Sequence, residues 1–509
     1  MSKKKKLLPL AVSALLVGVL TTHSFLLPSH ASAQTPNPDS QIGQDLDQED
    51  DRVGDSDTAE DSLGDSVTEE DSLEDSVTEE DGVGDSVTEE DGVGDSVTEE
   101  DGVGDSVTED GSLDDSVTEE GNLEDSVTEE GNLEDSVIEE DNESSVRSKY
   151  DHTKFLTLFD KDKIIKNFRS MNKIFPSHKI KNDKKNTFTF KKKLRDLPNF
   201  TYTYNKQQHK FEDLLKRTVT TGLLVIKDDK IVTERYYHGN SQKTLNTSWS
   251  MSKSFTSALV GIAIDEGYIN SVDDPITDYL PELKDSGYDG VSIKDILNMA
   301  SGVKYPVYEE PFITEWYNRL FVEKESFNEM MTTLPSDASP GTFTYKGSDT
   351  QVLGMLIKKT TGKQPSKYLE EKIWKPLGME HSAYWNTDLH GDDMTFAYLN
   401  ASLRDYAKFG RLYLNNGSWN GKQIISEDWV KETYIGSEGF PFYKYQWWIP
   451  PSPDPDNKEI LANGIYGQNI YVNQNENMII VKTSVNSSEE DLGEEITVFR
   501  EIVELFKDE

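Results

Sequence analysis

A serine and a lysine stand three residues apart near the middle of the chain, in the stretch Ser250-Met251-Ser252-Lys253. On a helix, this spacing places both side chains on one face. A serine in the first helical turn lies beside unpaired backbone N–H groups, where the helix dipole favours developing negative charge. A lysine one turn later can take the serine proton if burial lowers its pKa. The pair therefore predicts a nucleophilic serine with a lysine as its general base.

The Ser-x-x-Lys spacing is not specific by itself, because it also occurs at Ser2–Lys5 and at Ser301–Lys304. Other chemistries have less support in the sequence. The chain has no G-x-S-x-G elbow of the α/β-hydrolase kind. It has no cysteine, which excludes a thiol nucleophile and Cys-ligated metal sites. Its histidines lack paired-ligand spacing, and there is no phosphate loop or dinucleotide fingerprint, so no cofactor and no metal are predicted.

The elements that position this pair follow a regular pattern. A helix is predicted from about Ser250 to Glu266, because its apolar residues recur at helical spacing. Two β-rich runs before it, 222–227 and 230–237, are joined by Asp228-Asp229 and predict a hairpin. Further helices are predicted at 293–300, 350–360, 402–414 and 495–506, and further strands at 468–472 and 478–483. Strands at both ends with helices between them predict a sheet completed by N- and C-terminal segments, with a helical insertion.

The residues around Ser250 carry a family resemblance. The stretch 248–261 resembles the nucleophile helix of the β-lactamase-related serine hydrolases, which include class C β-lactamases, D-alanyl-D-alanine carboxypeptidases, related esterases and 6-aminohexanoate-dimer hydrolases. Further motifs similar to those of the family follow in the expected order between about 200 and 485, at Asp274-Pro275, Tyr279-Leu280-Pro281, Asp295–Gly302, Pro340-Gly341, Leu353-Gly354, Pro376–Met379, Leu399–Ala401 and Asp405–Gly410. Tyr445–Trp448 and Gly464–Gln468 look most like the 6-aminohexanoate-dimer hydrolase group.

The resemblance implies an α+β fold of the β-lactamase/transpeptidase kind. In that fold, an antiparallel sheet flanked by helices is joined to a mostly helical subdomain, and the cleft between them would hold Ser250. The resemblance also implies that Ser301 is structural, because it lies in a helix-ending turn before Gly302.

Three further residues enter the predicted site through the resemblance. Tyr345 matches the tyrosine that follows the Pro-Gly block of the family, and it is expected to share the serine proton with Lys253 and pass it to the leaving group. In the family this tyrosine begins a Tyr-x-Asn or Tyr-x-Ser motif. Here the third position is Gly347, which has no side chain where the family has a polar one. Ser348, one position later, is a candidate to supply the missing hydrogen bond.

The third motif of the family, K-T-G or H-T-G on an edge strand, is not recognisable in this chain. The stretch from Asn463 to Gly467, which includes Gly464, is its expected counterpart. The backbone N–H of Ile465 is expected to complete an oxyanion hole with that of Ser250. Loss of the cationic residue would weaken recognition of a β-lactam carboxylate.

The resemblance therefore favours an amidase or esterase acting on a small molecule or short peptide. A D-alanyl-D-alanine carboxypeptidase or β-lactamase is the first alternative. A weakly acylating binding or sensor module on an acidic stalk is the alternative from another functional class.

The N-terminal residues predict export. Lys3 to Lys6 form a basic region, Leu7 to Leu20 form an apolar run, and Ala31-Ser32-Ala33 matches the small-x-small cleavage pattern. The apolar run is short for a membrane span. A cleavable signal peptide over 1–33 is therefore expected, which would make the protein secreted or extracytoplasmic, with an uncleaved anchor as the alternative.

Residues 51–140 are ten-residue repeats such as DGVGDSVTEE at 81–90, and this region accounts for most of the formal net charge of −43. Each repeat has too few aliphatic residues to bury a core, and like charges oppose compaction, so 34–148 is predicted to be disordered. It would act as a solvating spacer or bind cations or basic cell-surface partners diffusely.

A hydrolase domain is predicted over 149–509, with its lysine-rich start wrapped on the domain surface. The short lysine cluster at 191–193 is flanked by acidic and aromatic residues, which indicates a solvated face and no nucleic-acid binding. The sequence does not indicate an oligomeric state.

Overall fold

The computed structural model describes residues 157–305 and 318–507. The signal peptide predicted over 1–33 and the repeat region predicted over 34–148 lie outside the described residues. None of the helices in the described part has the length and apolar character that a membrane span needs.

The described chain has strands near both ends of the domain and most of its helices between them, as predicted. The strands are β1 (Ser177–Ile180), β2 (Lys191–Lys192), β3 (Thr201–Tyr204), β4 (Gln207–Lys210), β5 (Thr220–Lys227), β6 (Lys230–Tyr236), β7 (Asn246–Thr247), β8 (Ala383–Asn386), β9 (Leu399–Ala401), β10 (Ser418–Trp419), β11 (Lys422–Gln423), β12 (Tyr443–Lys444), β13 (Trp447–Trp448), β14 (Glu459–Gly464), β15 (Gln468–Asn473) and β16 (Met478–Ser484). The α-helices are α1 (Ile164–Phe168), α2 (Met171–Ile174), α3 (Phe211–Arg217), α4 (Ser252–Asp265), α5 (Ile293–Leu297), α6 (Phe327–Met331), α7 (Gly347–Thr361), α8 (Pro365–Leu369), α9 (Leu403–Leu414), α10 (Glu427–Glu432) and α11 (Leu492–Leu505). Short 3₁₀ turns cover Trp249–Met251, Ile276–Asp278, Pro281–Leu283 and Glu489–Asp491, and π-helical turns cover Asn318–Glu323 and Glu370–Trp374.

The main sheet has the strand order β12-β13-β14-β15-β16-β5-β6-β2. Its pairs are antiparallel except for β2, which runs parallel to β6. The predicted hairpin of β5 and β6 is confirmed, and its turn residues Asp228 and Asp229 have φ values of 49° and 60°. Two residues with positive φ match the right-handed twist of the strands they connect. The sheet is thus completed by segments from both ends of the domain.

Helices cover both faces of this sheet. Leu224 and Ile226 of β5 point to one face, which α9 covers, while Leu223 and Val225 point to the other face, which α3 and α11 cover. Because successive strand residues alternate between faces, a strand buried on both sides needs a continuous apolar run. This explains the unbroken hydrophobic stretch of β5 and confirms the predicted α+β fold.

A mostly helical region packs beside the sheet and positions α4. Residues 252–263 of α4 are all buried. The helix lies against α7 on one side, and against strand β14 and the 3₁₀ turn Trp249–Met251 on another. Gly261 is required at the crossing with α10, since a Cβ there would come within 2.7 Å of the Trp429 indole. Close packing fixes the start of α4, where the predicted nucleophile lies.

A second sheet has the order β1-β8-β9-β7. In it, Ser177 of β1 pairs with Asn386, and Thr247 of β7 pairs with Asn400. The lysine-rich segment that was predicted to wrap the surface therefore contributes edge strands to both sheets, β1 here and β2 in the main sheet. Strand β7 leads directly into the 3₁₀ turn that carries Ser250.

Candidate active site

Ser250 lies in a sharp turn between strand β7 and helix α4. Its 3₁₀ turn, Trp249–Met251, passes directly into the helix, which begins at Ser252 and not at Ser250 as predicted. Ser248 fixes the turn from behind, because its N–H donates to the Leu399 carbonyl at 2.7 Å and its hydroxyl accepts from the Leu399 N–H at 3.0 Å. The nucleophile candidate is therefore held on a rigid junction.

The side chain of Lys253 reaches back to Ser250 along this turn. Its Nζ lies 3.0 Å from Ser250 Oγ, and the residue is only 3 % exposed. Burial lowers the pKa of Lys253 to about 7, because the charged ammonium is desolvated. A large fraction of this amine is therefore neutral near pH 7 and able to accept the serine proton.

A backbone carbonyl that sequence reasoning missed holds Lys253 in place. The Phe396 carbonyl oxygen accepts a hydrogen bond from Lys253 Nζ at 2.7 Å, and the Phe396 ring centroid lies 5.7 Å from the same atom. The preceding carbonyl, of Thr395, accepts from Ser252 and Thr256 of α4 at 3.1 and 3.0 Å. Since this contact is made by a main-chain atom, no residue type in the sequence signals it.

Removing the Phe396 ring should raise the pKa of Lys253, because water would reach the ammonium while the backbone contact stays in place. For Phe396→Ala we expect the midpoint of the acylation pH profile to move up by about one unit or more. The rate should fall near pH 7 and recover above pH 9. Single-turnover acylation measured from pH 6 to 10 checks this. Phe188→Ala, which removes a ring that packs on those of Phe190 and Trp419, is the matched control and should keep the wild-type midpoint. Equal midpoints in the two variants would contradict the prediction.

Tyr345 brings an aromatic wall to the site. Lys253 Nζ lies 5.0 Å from its ring centroid. The rings of Trp448 and Tyr443 pack against Tyr345 at 5.3 and 6.0 Å. Trp448 is placed there by the hairpin of β12 and β13, whose turn residues both have positive φ. The structure thus brings the predicted residue Tyr345 next to the Ser250–Lys253 pair.

Gly347 and Ser348 form the start of α7, directly after Tyr345 and Lys346. A Cβ at Gly347 would come within 3.1 Å of the Phe396 ring and 3.3 Å of the Tyr305 hydroxyl, so Phe396 fills the space of the usual third-position side chain. Ser348 is fully buried in α7. No contact within the described part of the chain joins it to Ser250 or Lys253, so the hydrogen bond suggested for Ser348 stays a prediction.

A buried polar network supports the backbone on the far side of Tyr345. Lys346 Nζ donates to the Val303 carbonyl at 2.8 Å and to Ser301 Oγ at 3.3 Å. The hydroxyls of Ser301 and Tyr288 donate to Asp349 Oδ1 at 2.7 and 2.9 Å. Burial raises the pKa of Asp349 to about 6 against the opposing effect of Lys346. These contacts give Ser301 a supporting place in the fold, in agreement with its structural interpretation.

Strand β14 ends directly beside the nucleophile turn. A Cβ at Gly464 would overlap the Ser248 carbonyl oxygen and lie 3.0 Å from the Ser250 nitrogen. Glycine is therefore required for this approach. Ile465 follows at the strand end and packs with Trp249 in an apolar cluster. The two backbone stretches predicted to form the oxyanion hole are thus adjacent, as the resemblance implies.

No group of three or more metal-ligating side chains lies within the described residues. The arrangement that the structure does provide is a serine, a neutralisable lysine and backbone N–H groups in one cleft, which is suited to acyl transfer.

Comparison with known proteins agrees with this chemistry. The sequence model of the family described as "Beta-lactamase" matches residues 208–500. The chain is 29 % identical over 295 residues to the 6-aminohexanoate-dimer hydrolase of Paenarthrobacter ureafaciens, covering 54 % of this chain and 74 % of the relative. It is 27 % identical over 210 residues to a protein of Salmonella paratyphi A named "Putative D-alanyl-D-alanine carboxypeptidase", covering 35 % of this chain and only 48 % of that relative.

A solved structure is also similar. The protein named "Putative 6-aminohexanoate-dimer hydrolase from Bacillus anthracis" superposes with a TM-score of 0.63 at 26 % identity, covering 69 % of this chain and 96 % of that chain. This match extends over nearly the whole of the neighbour and over most of the described domain.

Proposed function

As a member of the Beta-lactamase family, this chain is a serine hydrolase, and we propose that it cleaves an amide or ester through an acyl-enzyme on Ser250. The observation that carries the proposal is the 3.0 Å contact between Ser250 Oγ and the buried Nζ of Lys253. A lysine in this position with its ordinary pKa would be protonated and could not accept the serine proton.

The proposed reaction has two halves. In the first, Ser250 Oγ attacks the substrate carbonyl carbon while its proton passes to Lys253 Nζ. The N–H groups of Ser250 and Ile465 stabilise the oxyanion. The C–N or C–O bond then breaks, and the leaving group takes the proton from Lys253 through the Tyr345 hydroxyl. In the second half, water gives a proton to Lys253 and attacks the ester carbonyl. Ser250 leaves as the alcohol and recovers its proton from Lys253.

The cleft and the relatives together support a proposal for the substrate class. An aromatic wall made by the rings of Tyr345 and Phe396 lies beside Lys253, and Trp448 packs on Tyr345. Phe396 also fills the space of a side chain at the third position of the tyrosine motif. Such a wall suits an unbranched, largely apolar acyl chain better than one with a polar branch. The relative from Paenarthrobacter ureafaciens is named for a dimer of 6-aminohexanoate. We therefore propose linear amides or esters as substrates.

Peptides ending in D-alanine are the second candidate, because one relative, of which 48 % is covered, is named for a D-alanyl-D-alanine carboxypeptidase. We also propose that residues 1–33 direct export and that the acidic repeats of 34–148 space the hydrolase domain from its surroundings. These two proposals have the sequence as their support.

A burst assay with a p-nitrophenyl ester tests the proposed function. We expect one equivalent of nitrophenol per enzyme before steady turnover, with an acyl mass increase on the peptide that contains Ser250. Ser250→Ala is the matched control and should give neither signal. A burst without an adduct on Ser250 would show that the nucleophile is wrong. A stable adduct without turnover would favour the binding or sensor module. After a positive burst, linear amides and D-alanyl peptides are compared by kcat/KM.

A further inference from the structure

The segment 157–175 lies before the region matched by the family model, yet it packs on the residues beside the nucleophile. The Phe168 ring, 3 % exposed, lies 5.3 Å from the ring of Trp249 and 5.2 Å from that of Tyr466. Phe159 stacks on the same two rings at 6.0 and 5.8 Å. Trp249 directly precedes Ser250, and Tyr466 directly follows Ile465. The two phenylalanines therefore contact both neighbours of the proposed oxyanion hole.

Both contacted residues have an unfavourable backbone conformation. Trp249 has a φ of 45° and Tyr466 a φ of 66°, in the left-handed region that bulky residues rarely adopt. Such conformations persist only where the surrounding packing determines them. Here the rings of Trp249 and Tyr466 lie 5.6 Å apart and share a cluster with Phe168, Phe159 and Val485. Removing a ring from this cluster would let both turns relax.

The segment is also fixed at its other contacts with the domain. Arg169 donates to the His238 carbonyl at 3.0 Å and to the Asn240 side-chain oxygen at 3.3 Å. The Asn386 side chain donates to the carbonyls of Met171 and Pro176 at 3.2 and 3.3 Å. The segment that carries the two phenylalanines is therefore anchored to the domain directly after Phe168, and the Asn167 side chain donates to the Thr157 and Leu158 carbonyls at 3.0 Å just before Phe159.

We propose that Phe159 and Phe168 are positioning residues, which hold the backbone N–H groups of Ser250 and Ile465 in the geometry that stabilises the oxyanion. The inference rests on the proposed function, since it assigns the segment a part in acylation. It implies that the catalytic unit begins upstream of residue 208, where the match to the family model starts. Because these residues act through the backbone of Trp249 and Tyr466, they should affect the chemical step and not substrate binding.

The test compares Phe168→Ala and Phe159→Ala with the wild type in the full-length chain. We expect kcat for acylation of the ester to fall by about tenfold or more, with KM changed by less than about twofold. Phe168→Leu keeps apolar volume and should show an intermediate loss, which covers the case that the alanine variant does not fold. Phe188→Ala is the matched control, because this ring from the same N-terminal region packs on Phe190 and Trp419 at 5.1 and 4.9 Å.

The control separates positioning from stability. Phe188→Ala should lower the melting temperature but keep the wild-type kcat. Hydrogen exchange supplies a readout that does not need turnover: the amides of 249–251 and 464–466 should exchange faster in Phe168→Ala and not in Phe188→Ala. If the wild type shows no burst, the proposed function fails. The exchange comparison would still test whether Phe168 holds the backbone of 249–251 and 464–466 in place. The inference would be overturned if Phe168→Ala and Phe188→Ala had equal kcat values. It would also be overturned if the amides of 249–251 and 464–466 exchanged in Phe168→Ala at the wild-type rate.

Discussion

Lys253→Met should reduce the acylation rate of Ser250 by about 10³-fold, the range expected for loss of a general base. Methionine keeps most of the volume of the lysine stem, so the buried start of α4 should stay packed. The remaining rate should lose the rise with pH that the wild type shows. In the wild type, burial lowers the pKa of Lys253 to about 7. The neutral amine is the active form, so the rate rises through about pH 7 and is lost in acid. Stopped-flow burst kinetics from pH 5 to 10 measure both effects.

Lys253→Arg is the matched variant for this prediction. The guanidinium keeps a positive charge in the cleft but does not lose its proton in the working pH range. We therefore expect it to be as inactive as Lys253→Met at every pH, while circular dichroism shows a folded domain for both. Wild-type pH dependence in either variant would show that another group accepts the serine proton.

Gly464→Ala should lower the acylation rate by about 10²-fold, close to the effect of losing one oxyanion donor. The added Cβ would overlap the Ser248 carbonyl oxygen and press on the Ser250 nitrogen. Because these are backbone atoms, the strand end or the nucleophile turn has to shift. A displacement of about 1 Å is enough for a loss of this size. The measurement is single-turnover acylation, with the melting temperature recorded for each variant.

Gly222→Ala provides the control for this substitution. Gly222 also lies in a strand of the main sheet, and its Cβ would come within 2.6 Å of a side-chain carbon of Leu403. This contact is with a side chain in the core and not with the nucleophile turn. We expect Gly222→Ala to lose stability but to acylate within about twofold of the wild type. If the two alanine variants acylate equally, Gly464 has no special role beside Ser250.

Much of the fold could be predicted because its elements have strong periodic patterns. The hairpin of β5 and β6, the strands β15 and β16 and the helices α4, α7, α9 and α11 all lie where the sequence places them, within a few residues. Each is long enough for its apolar residues to show a period of two or of 3.6. The Ser250–Lys253 pair was predictable from its spacing together with the family motifs around it, since the spacing alone also occurs at Ser301–Lys304.

The parts of the site that the sequence did not reveal depend on main-chain contacts and on short elements. The Phe396 carbonyl holds Lys253, but any residue type has a carbonyl. In the buried polar network, Ser301 is joined to Lys346 and Asp349, which lie more than 40 residues later in the chain. Because these residues are distant in sequence, no local spacing predicts their contact. The segment 157–175 forms only the short helices α1 and α2, too short for a periodic signal. Its position follows from tertiary packing.

The strand order of the main sheet has a consequence for how the enzyme matures. Strand β5 is paired on one side with β6, which follows it at once, and on the other with β16, which lies near the end of the described chain. Strand β1 likewise pairs with β8, which lies about 200 residues later in the sequence. Pairings so distant in sequence close large loops and make folding slow. During synthesis, the early hairpin therefore keeps an open edge until the last strand has left the ribosome. The nucleophile turn lies beside β14, and β14 is joined to that hairpin only through β15 and β16. We therefore expect the active site to be completed only after β16 has been made.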